Sequence, residues 1–153
     1  MDGPIVVGID GSPSSHDALL WAVHDARCRG TSVTAMSAWM VPLEAYWGAP
    51  IPSSLPSDLE RAATKVLSAM VDDLGPEAQD VQVVPRVVEG DPAQVLIETA
   101  KDAQTLVVGS RGLGGFRELL LGSVSQQCAH HATCPVVIIR HRRAEEAVDY
   151  QKA

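Results

Sequence analysis

The chain of 153 residues contains only three cysteines, an odd number, and none of them has Cys-x-x-Cys spacing. A secreted protein of this size normally pairs its cysteines, so this usage indicates a reducing compartment. The first residues lack the basic and apolar segments of a signal peptide, and no apolar run approaches the roughly 18 residues that span a bilayer. These absences predict a cytoplasmic protein that is neither secreted nor embedded in a membrane.

Positive charge is also scarce. The chain has 12 Lys and Arg against 19 Asp and Glu, which gives a formal net charge of −7. A broad nucleic-acid interface needs a basic face, so no nucleic-acid partner is predicted. The short basic run at 140–143 has no aromatic residues, and we interpret it as a solvated end. Any anion must therefore be held locally, by backbone N–H groups and a few cations.

The composition is that of an ordinary globular protein, with 46% hydrophobic and 20% charged residues. The length corresponds to one domain, and no internal repeat is visible. We assign residues 1–140 to that domain and interpret residues 141–153 as a charged C-terminal tail.

Apolar segments rich in β-branched residues alternate with helical patterns along the chain. Strands are predicted at residues 4–10, 31–39, 81–88, 105–109 and 135–140. Helices are predicted after Ser12-Pro13, after a capping box at Ser57-x-x-Glu60, after Gly90-Asp91-Pro92, and over residues 123–132. This alternation predicts an α/β protein with a parallel sheet covered by helices on both faces.

The segment 41–56 interrupts this alternation. It carries four prolines, which are incompatible with a regular helix or a central strand. Long loops of this kind inside a compact domain are usually functional or mobile. We therefore interpret the segment as a loop that either covers the ligand site or lies elsewhere.

Ligands of open α/β sheets bind at the carboxyl ends of the strands, where the strand order reverses. The first strand ends at Asp10, whose carboxylate would accept hydrogen bonds from ribose hydroxyls. The fourth strand ends at Gly109, followed by Gly112, and both glycines are expected to let the backbone pass close to a ligand. If these strands are neighbours, the two turns face each other across one crevice.

The fourth predicted helix opens with Gly122-Ser123-Val124-Ser125. Its free N–H groups and serine hydroxyls, with the positive end of the helix dipole, predict an anion site. Arg111 and Arg117 lie in the preceding loop and would reach phosphate oxygens. The turns together predict a nucleotide site with a glycine wall, a phosphate cradle and a sugar-binding carboxylate.

Other sites find little support. The chain has no G-x-x-x-x-G-K-[ST] loop, and no G-x-G-x-x-G follows the first strand. No serine has an adjacent histidine or lies in a G-x-S-x-G elbow, so no catalytic residue is predicted. Cys128, His131 and Cys134 match no zinc signature, and we interpret Cys128 as a small buried hydrophobe. No metal ligand is predicted among them.

The spacing Gly109-x2-Gly112-x9-Gly122-Ser123 resembles the ATP-binding signature of the universal stress protein family. The start Ile5–Ser12 and the end Cys134–Ile139 also resemble that family's first and last strands. The resemblance covers about residues 4–140. It implies a single-domain, doubly wound, five-stranded parallel sheet of order 3-2-1-4-5, a Rossmann-like fold similar to adenine nucleotide alpha hydrolases.

The resemblance also implies a ligand and its site. The ligand would be ATP, with Mg²⁺ as a further candidate, and the protein would form a homodimer through its last strand, residues 135–140. Carried over by position, the nucleoside side would be lined by Gly8, Ile9 and Asp10, and Ala38 would offer backbone groups to adenine. Ribose and phosphates would be flanked by Val108, Gly109, Arg111 and Gly112. The phosphates would be bound by Gly122, Ser123, Val124 and Ser125.

Three functions remain open from the sequence. The first is an ATP-binding regulatory module of the stress response, in which nucleotide binding orders loops that a partner reads. The second is a nucleotide-free dimeric interaction protein, since an unpaired apolar last strand would otherwise be an exposed edge. The third is an enzyme of the same fold, either a nucleotide hydrolase such as a slow ATP hydrolase or a nucleotidyl transferase, which fold alone cannot support.

Overall fold

The computed structural model describes residues 3–113 and 120–141. The strands are β1 (Ile5–Gly8), β2 (Val33–Trp39), β3 (Val83–Glu89), β4 (Thr105–Gly109) and β5 (Val136–Ile139). The helices are α1 (Pro13–Arg29), α2 (Leu55–Asp73), α3 (Pro92–Thr99) and α4 (Ser123–His131). Short 3₁₀ helices occur at Leu43–Tyr46, Gly75–Ala78 and Ala100–Asp102. Most of the predicted tail, from residue 142 onward, lies outside the described residues.

All five strands are parallel and follow the order β3-β2-β1-β4-β5, which confirms the predicted topology. β1 lies at the centre, where Ile5 is in register with Val33 of β2 and Thr105 of β4. The chain winds outward in opposite directions from β1 and from β4. Their carboxyl ends therefore border the crevice in which ligands of such sheets bind.

The core lies on both faces of the sheet, because successive side chains of a strand point to opposite sides. On one face, Ile5 and Val7 join a buried cluster with residues of α1 and α2. On the other face, Val6 joins a second cluster with Leu96 of α3 and Cys128 of α4. Burial on both faces explains why β1 and most of β4 are continuously apolar.

Short polar residues begin and end the helices largely as predicted. Ser12 caps α1, and its hydroxyl accepts a hydrogen bond of 3.2 Å from the Ser15 N–H. Gly30, with a φ of 66°, ends α1 in the left-handed conformation that glycine tolerates. Asp91 caps α3 by accepting the Gln94 N–H at 3.0 Å. These local signals determine where α1 begins and ends and where α3 begins.

The predicted start of α2 is wrong. The helix begins at Leu55 after Ser54, so Ser57 is not its cap, and the Ser57 hydroxyl donates to the Ser54 carbonyl at 2.8 Å. Pro56 fits the first turn because the N–H that proline lacks has no intrahelical acceptor there. The proline-rich segment is thus shorter than 41–56 and contains one 3₁₀ turn, Leu43–Tyr46. Within the described residues, no helix is both long and apolar enough to cross a membrane.

Candidate functional site

A cavity of about 470 Å³ opens at the carboxyl ends of β1 and β4. Its volume falls in the range of small-molecule sites, roughly 300–1,000 Å³. The structure brings all the predicted site residues together in its lining. They are Gly8, Ile9, Asp10, Ala38, Val108, Gly109, Arg111, Gly112, Gly122, Ser123, Val124 and Ser125.

Five further lining residues were missed by sequence reasoning: Ser15, Met36, Pro92, Leu96 and Leu121. Met36 is in register with Gly8 and is almost fully buried, so it forms part of the apolar floor. Leu96 reaches the floor beside Gly8, where an added Cβ would lie only 2.8 Å from a Leu96 methyl. The periodicity of β2 and α3 marked these side chains as core, and a core position that borders a cavity carries no separate sequence signal.

The polar part of the cavity is the N-terminus of α4. Within the described part of the chain no side chain caps this end, and Gly122 precedes the helix in extended conformation. The first intrahelical bond runs from the Gln126 N–H to the Gly122 carbonyl, 3.0 Å. The preceding helical N–H groups, on Ser123, Val124 and Ser125, have no acceptor within the helix. Free N–H groups and a positive dipole end together favour an anion.

The two serines of α4 differ in what they offer a ligand. Ser125 is buried, and its hydroxyl lies 3.1 Å from the Ser110 carbonyl and 3.0 Å from the Gly122 carbonyl. A hydroxyl has one proton to donate, so that of Ser125 is used inside the protein. Ser123 is exposed. Of the two predicted hydroxyls, that of Ser123 is thus available to a ligand. Ser125 offers its backbone N–H instead.

The glycines of the signature have different reasons to lack a side chain. A Cβ at Gly109 would lie 2.5 Å from Ser14 Oγ, and a Cβ at Gly112 would lie 2.6 Å from Asp10 Oδ2. These glycines make room for protein atoms, in contrast to the expectation that they make room for a ligand. A Cβ at Gly122 would meet no atom of the described residues closer than 3.5 Å. Of these three glycines, Gly122 is therefore the one whose described surroundings leave room for a methyl group.

Two opposite charges border the described part of the cavity. Asp10 is exposed, and its Oδ1 accepts the Ser12 N–H at 2.9 Å, which orients the carboxylate. Arg111 is exposed on the opposite turn. The other arginine predicted to reach phosphate, Arg117, lies outside the described residues. The described lining includes no histidine or cysteine.

Hydrogen bonds from three elements hold the turn after β4. The Ser110 N–H donates to the Ile139 carbonyl of β5 at 2.7 Å. The Ser110 carbonyl accepts the Gly122 N–H at 2.7 Å, which ties the turn to α4. The Arg111 carbonyl accepts the Ser14 hydroxyl of α1. The turn beside the polar part of the cavity is thus held by hydrogen bonds to α1, β5 and the start of α4.

The cysteines take no part in the cavity. Cys128 is fully buried, as predicted, and burial raises the pKa of its thiol to about 11. Burial also raises the pKa of Cys134. Across residues 3–113 and 120–141, no three His, Cys, Asp or Glu side chains are grouped so that they could hold a metal ion.

The chain is similar to known proteins in sequence and in fold. The family model described as "Universal stress protein family" matches residues 1–140. The chain belongs to the universal stress protein family. A universal stress protein of Mycolicibacterium smegmatis is 37% identical over 144 residues, which cover 91% of this chain and 46% of that protein. One of Mycobacterium tuberculosis is 41% identical over 143 residues, covering 90% of this chain and 44% of that protein. The chain thus spans about half the length of these curated relatives.

Solved structures of the family share the fold. A universal stress protein in complex with cAMP has a TM-score of 0.67 and 26% identity, with 90% of this chain and 96% of that chain covered. A family member from Arabidopsis thaliana with AMP bound has a TM-score of 0.61 and 23% identity, with 94% of each chain covered. At its lower identity, the second likeness bears on the fold alone.

Proposed function

We propose that this universal stress protein binds ATP in the cavity between β1 and β4 and acts as a regulatory module of the stress response. One observation carries the proposal: the apolar floor, the Asp10 carboxylate and the uncapped N-terminus of α4 border the same cavity. An adenine nucleotide has an apolar base, a sugar with hydroxyls and an anionic end, in that order. The likeness to a family member in complex with cAMP supports the same ligand class.

The lining suggests how the parts of the nucleotide would be arranged. Adenine would lie over Met36 and Leu96 and meet the backbone of Ala38. Asp10 would accept from the ribose hydroxyls, and the N–H groups at the start of α4 would bind phosphate. A single carboxylate together with phosphates is also a common Mg²⁺ site, so Asp10 fits a nucleotide-bound Mg²⁺. Of the charged side chains described, Arg111 would contribute a cation.

The first experiment is to denature the purified protein and identify any released nucleotide by chromatography and mass spectrometry. Stoichiometric ATP or ADP would support the proposal, whereas AMP or cAMP would retain the site and change the ligand. A protein that is empty and also fails to bind added ATP by calorimetry would overturn it. The dimeric interaction protein would then be the better interpretation.

Gly122→Ala is the most direct test of the site, because the added methyl meets no atom of the described residues closer than 3.5 Å. It should raise the Kd for ATP by about tenfold or more, the effect of losing one or more hydrogen bonds to a charged group. Gln126→Ala, at an exposed position of the same helix, is the matched control and should bind as the wild type does.

Asp10→Ala should also weaken binding of ATP. Asp58→Ala, which removes an exposed carboxylate elsewhere, is its control. Unchanged affinity in both site variants would remove this placement.

We propose binding without efficient hydrolysis. Asp10 is the one carboxylate in the described lining, and it is assigned to ribose or Mg²⁺ above. Turnover faster than about one per second, the low end of typical enzymes, would instead make the protein a hydrolase. We also propose a cytoplasmic location, which the three free cysteines support.

We further propose a homodimer through β5, because the two edges of the sheet differ. Backbone groups of alternate residues face outward, and at the β5 edge these belong to Val136 and Ile138. At the β3 edge they include Pro85, which has no N–H to donate. Ile138→Lys should therefore yield monomers by light scattering, while Val84→Lys on β3 should leave the dimer intact. A wild-type monomer at micromolar concentration would refute the pairing.

A further inference from the structure

Three serines stand at the start of α1, and all are buried: Ser12, Ser14 and Ser15 have exposed fractions of 3%, 5% and 2%. Two of them serve the helix itself. Ser12 caps its first turn, and the Ser15 hydroxyl donates to the Ser12 carbonyl at 2.9 Å. The Ser14 hydroxyl instead leaves the helix and donates to the carbonyl of Arg111, 97 positions along the chain. The hydroxyl of Ser14 therefore makes no hydrogen bond to a backbone group of α1 that would explain why Ser14 is buried.

Ser14 fits against the turn after β4 at two points. Besides its bond to Arg111, it occupies the space beside Gly109, where a Cβ would come within 2.5 Å of its Oγ and 2.9 Å of its carbonyl carbon. Gly109 and Arg111 flank Ser110, whose carbonyl holds the Gly122 N–H. The hydroxyl of Ser14 therefore fixes the turn on the side opposite to α4.

The neighbouring Ser12 hydroxyl cannot replace this contact at the same strength. Its oxygen lies 3.4 Å from the Arg111 carbonyl, at the outer limit of a hydrogen bond. Of the two, Ser14 makes the shorter bond to Arg111.

We propose that Ser14 is a positioning residue for the nucleotide site: it holds the turn at 109–112 so that its backbone and the start of α4 keep the geometry that phosphate requires. The inference rests on the function proposed above. It assigns Ser14 no contact with the ligand, since Ser14 is absent from the described cavity lining.

The test is Ser14→Ala, which removes the hydroxyl and keeps a good helix former. The Kd for ATP should rise about fivefold, as expected for one hydrogen bond of ordinary strength. The Kd for adenosine should rise clearly less than the Kd for ATP, because adenosine has no phosphate and meets the turn only through its ribose. The matched control is Ser57→Ala, which also loses a bond from a serine hydroxyl to a backbone carbonyl in a first helical turn. It should bind both ligands as the wild type does.

A second measurement needs no ligand. The Gly122 N–H is held by Ser110 within the same turn, so its hydrogen exchange by NMR should be faster in Ser14→Ala than in Ser57→Ala. Equal ATP affinity in Ser14→Ala and wild type would overturn the positioning role and leave the proposed function standing. An equal loss for ATP and adenosine would also overturn it, because it would indicate a general structural effect. If the wild type binds no nucleotide, the proposed function fails, and unchanged Gly122 exchange would show separately that Ser14 does not hold the turn.

Discussion

The two faces of the sheet are covered in different ways. α1 and α2, with 17 and 19 residues, pack on one face, whereas α3 and α4, with 8 and 9 residues, pack on the other. Both short helices start at the cavity, where Pro92 and Ser123 belong to the lining. The short helices supply most helical residues of the described lining, and the long helices contribute only Ser15 of α1 to it.

Polar contacts accentuate this difference. Arg27 of α1 reaches Asp80, beyond the end of α2, with 2.8 Å between Nε and Oδ2. His16 of α1 also lies 2.9 Å from Asp73 of α2. Two ion pairs thus join elements on the face with the long helices. We expect stability to depend mainly on this face and ligand binding mainly on the other.

The largest effect is expected from Leu19→Ala. Leu19 belongs to α1 and is fully buried, so its truncation should lower the free energy of unfolding by about 2–5 kcal/mol. Because Leu19 lies outside the cavity lining, the ATP affinity of the folded protein should not change. Urea denaturation and calorimetry below the transition measure the two quantities. A clear loss of affinity would break the separation of the two faces.

Leu96→Ala is the counterpart on the other face. Leu96 belongs to α3 and is buried, but it borders an existing cavity. We therefore expect its truncation to lower the free energy of unfolding by about 2 kcal/mol, near the lower end of that range. In contrast to Leu19→Ala, this variant should also bind ATP more weakly, because the apolar floor is enlarged. The same two measurements apply, and unchanged affinity would show that the floor does not contact the base.

Thiol labelling distinguishes the faces kinetically. Cys28, on α1, is exposed and should react within minutes at pH 7.5, whereas Cys128 under α4 should react only when that helix opens. Its pKa of about 11 further lowers its reactive thiolate. Cys28→Ser should remove the fast phase counted by mass spectrometry. Rapid labelling of Cys128 in that variant would show that the face with the short helices opens readily.

The smallest effect is a pH dependence of the face with the long helices. The hydrogen bond from Arg27 lowers the pKa of Asp80 below its usual value, so the folded state favours the charged carboxylate. The stabilisation is present above the unfolded-state pKa of about 4 and is lost as the pH falls through the folded-state value. Arg27→Gln should lower the urea midpoint slightly at pH 7, with the difference from wild type shrinking below about pH 4. Arg61→Gln, which breaks an exposed pair with Asp58, is the control. A difference that stays constant with pH would exclude this pair as its source.

Much of the fold could be predicted because its signals are local. The strands follow from apolar β-branched runs, and Ser12, Gly30 and Asp91 mark helix ends by capping chemistry that acts within a few residues. The predicted start of α2 is wrong because Ser54, the residue before the helix, makes no capping hydrogen bond with its side chain, so capping chemistry does not mark this start.

The sequence predicted which residues line the site better than it predicted the contacts that require each of them there. The turns that follow β1 and β4 meet because the strands are neighbours, so their residues could be named from topology. That Gly109 admits Ser14, and Gly112 admits Asp10, depends on contacts between segments far apart in the chain. The internal bond of the Ser125 hydroxyl could likewise not be read from its place at a helix start.

The bond from the Ser110 N–H to the Ile139 carbonyl has a practical consequence for dose–response experiments. It joins the turn at the cavity directly to β5, the strand through which we expect copies of the chain to pair. If the ligand shifts this turn, it changes the strength of self-association, and thermodynamic reciprocity requires that self-association change ligand affinity by the same factor. A half-saturation concentration would then vary with the amount of protein in the cuvette, and titrations at two protein concentrations would read out the coupling directly.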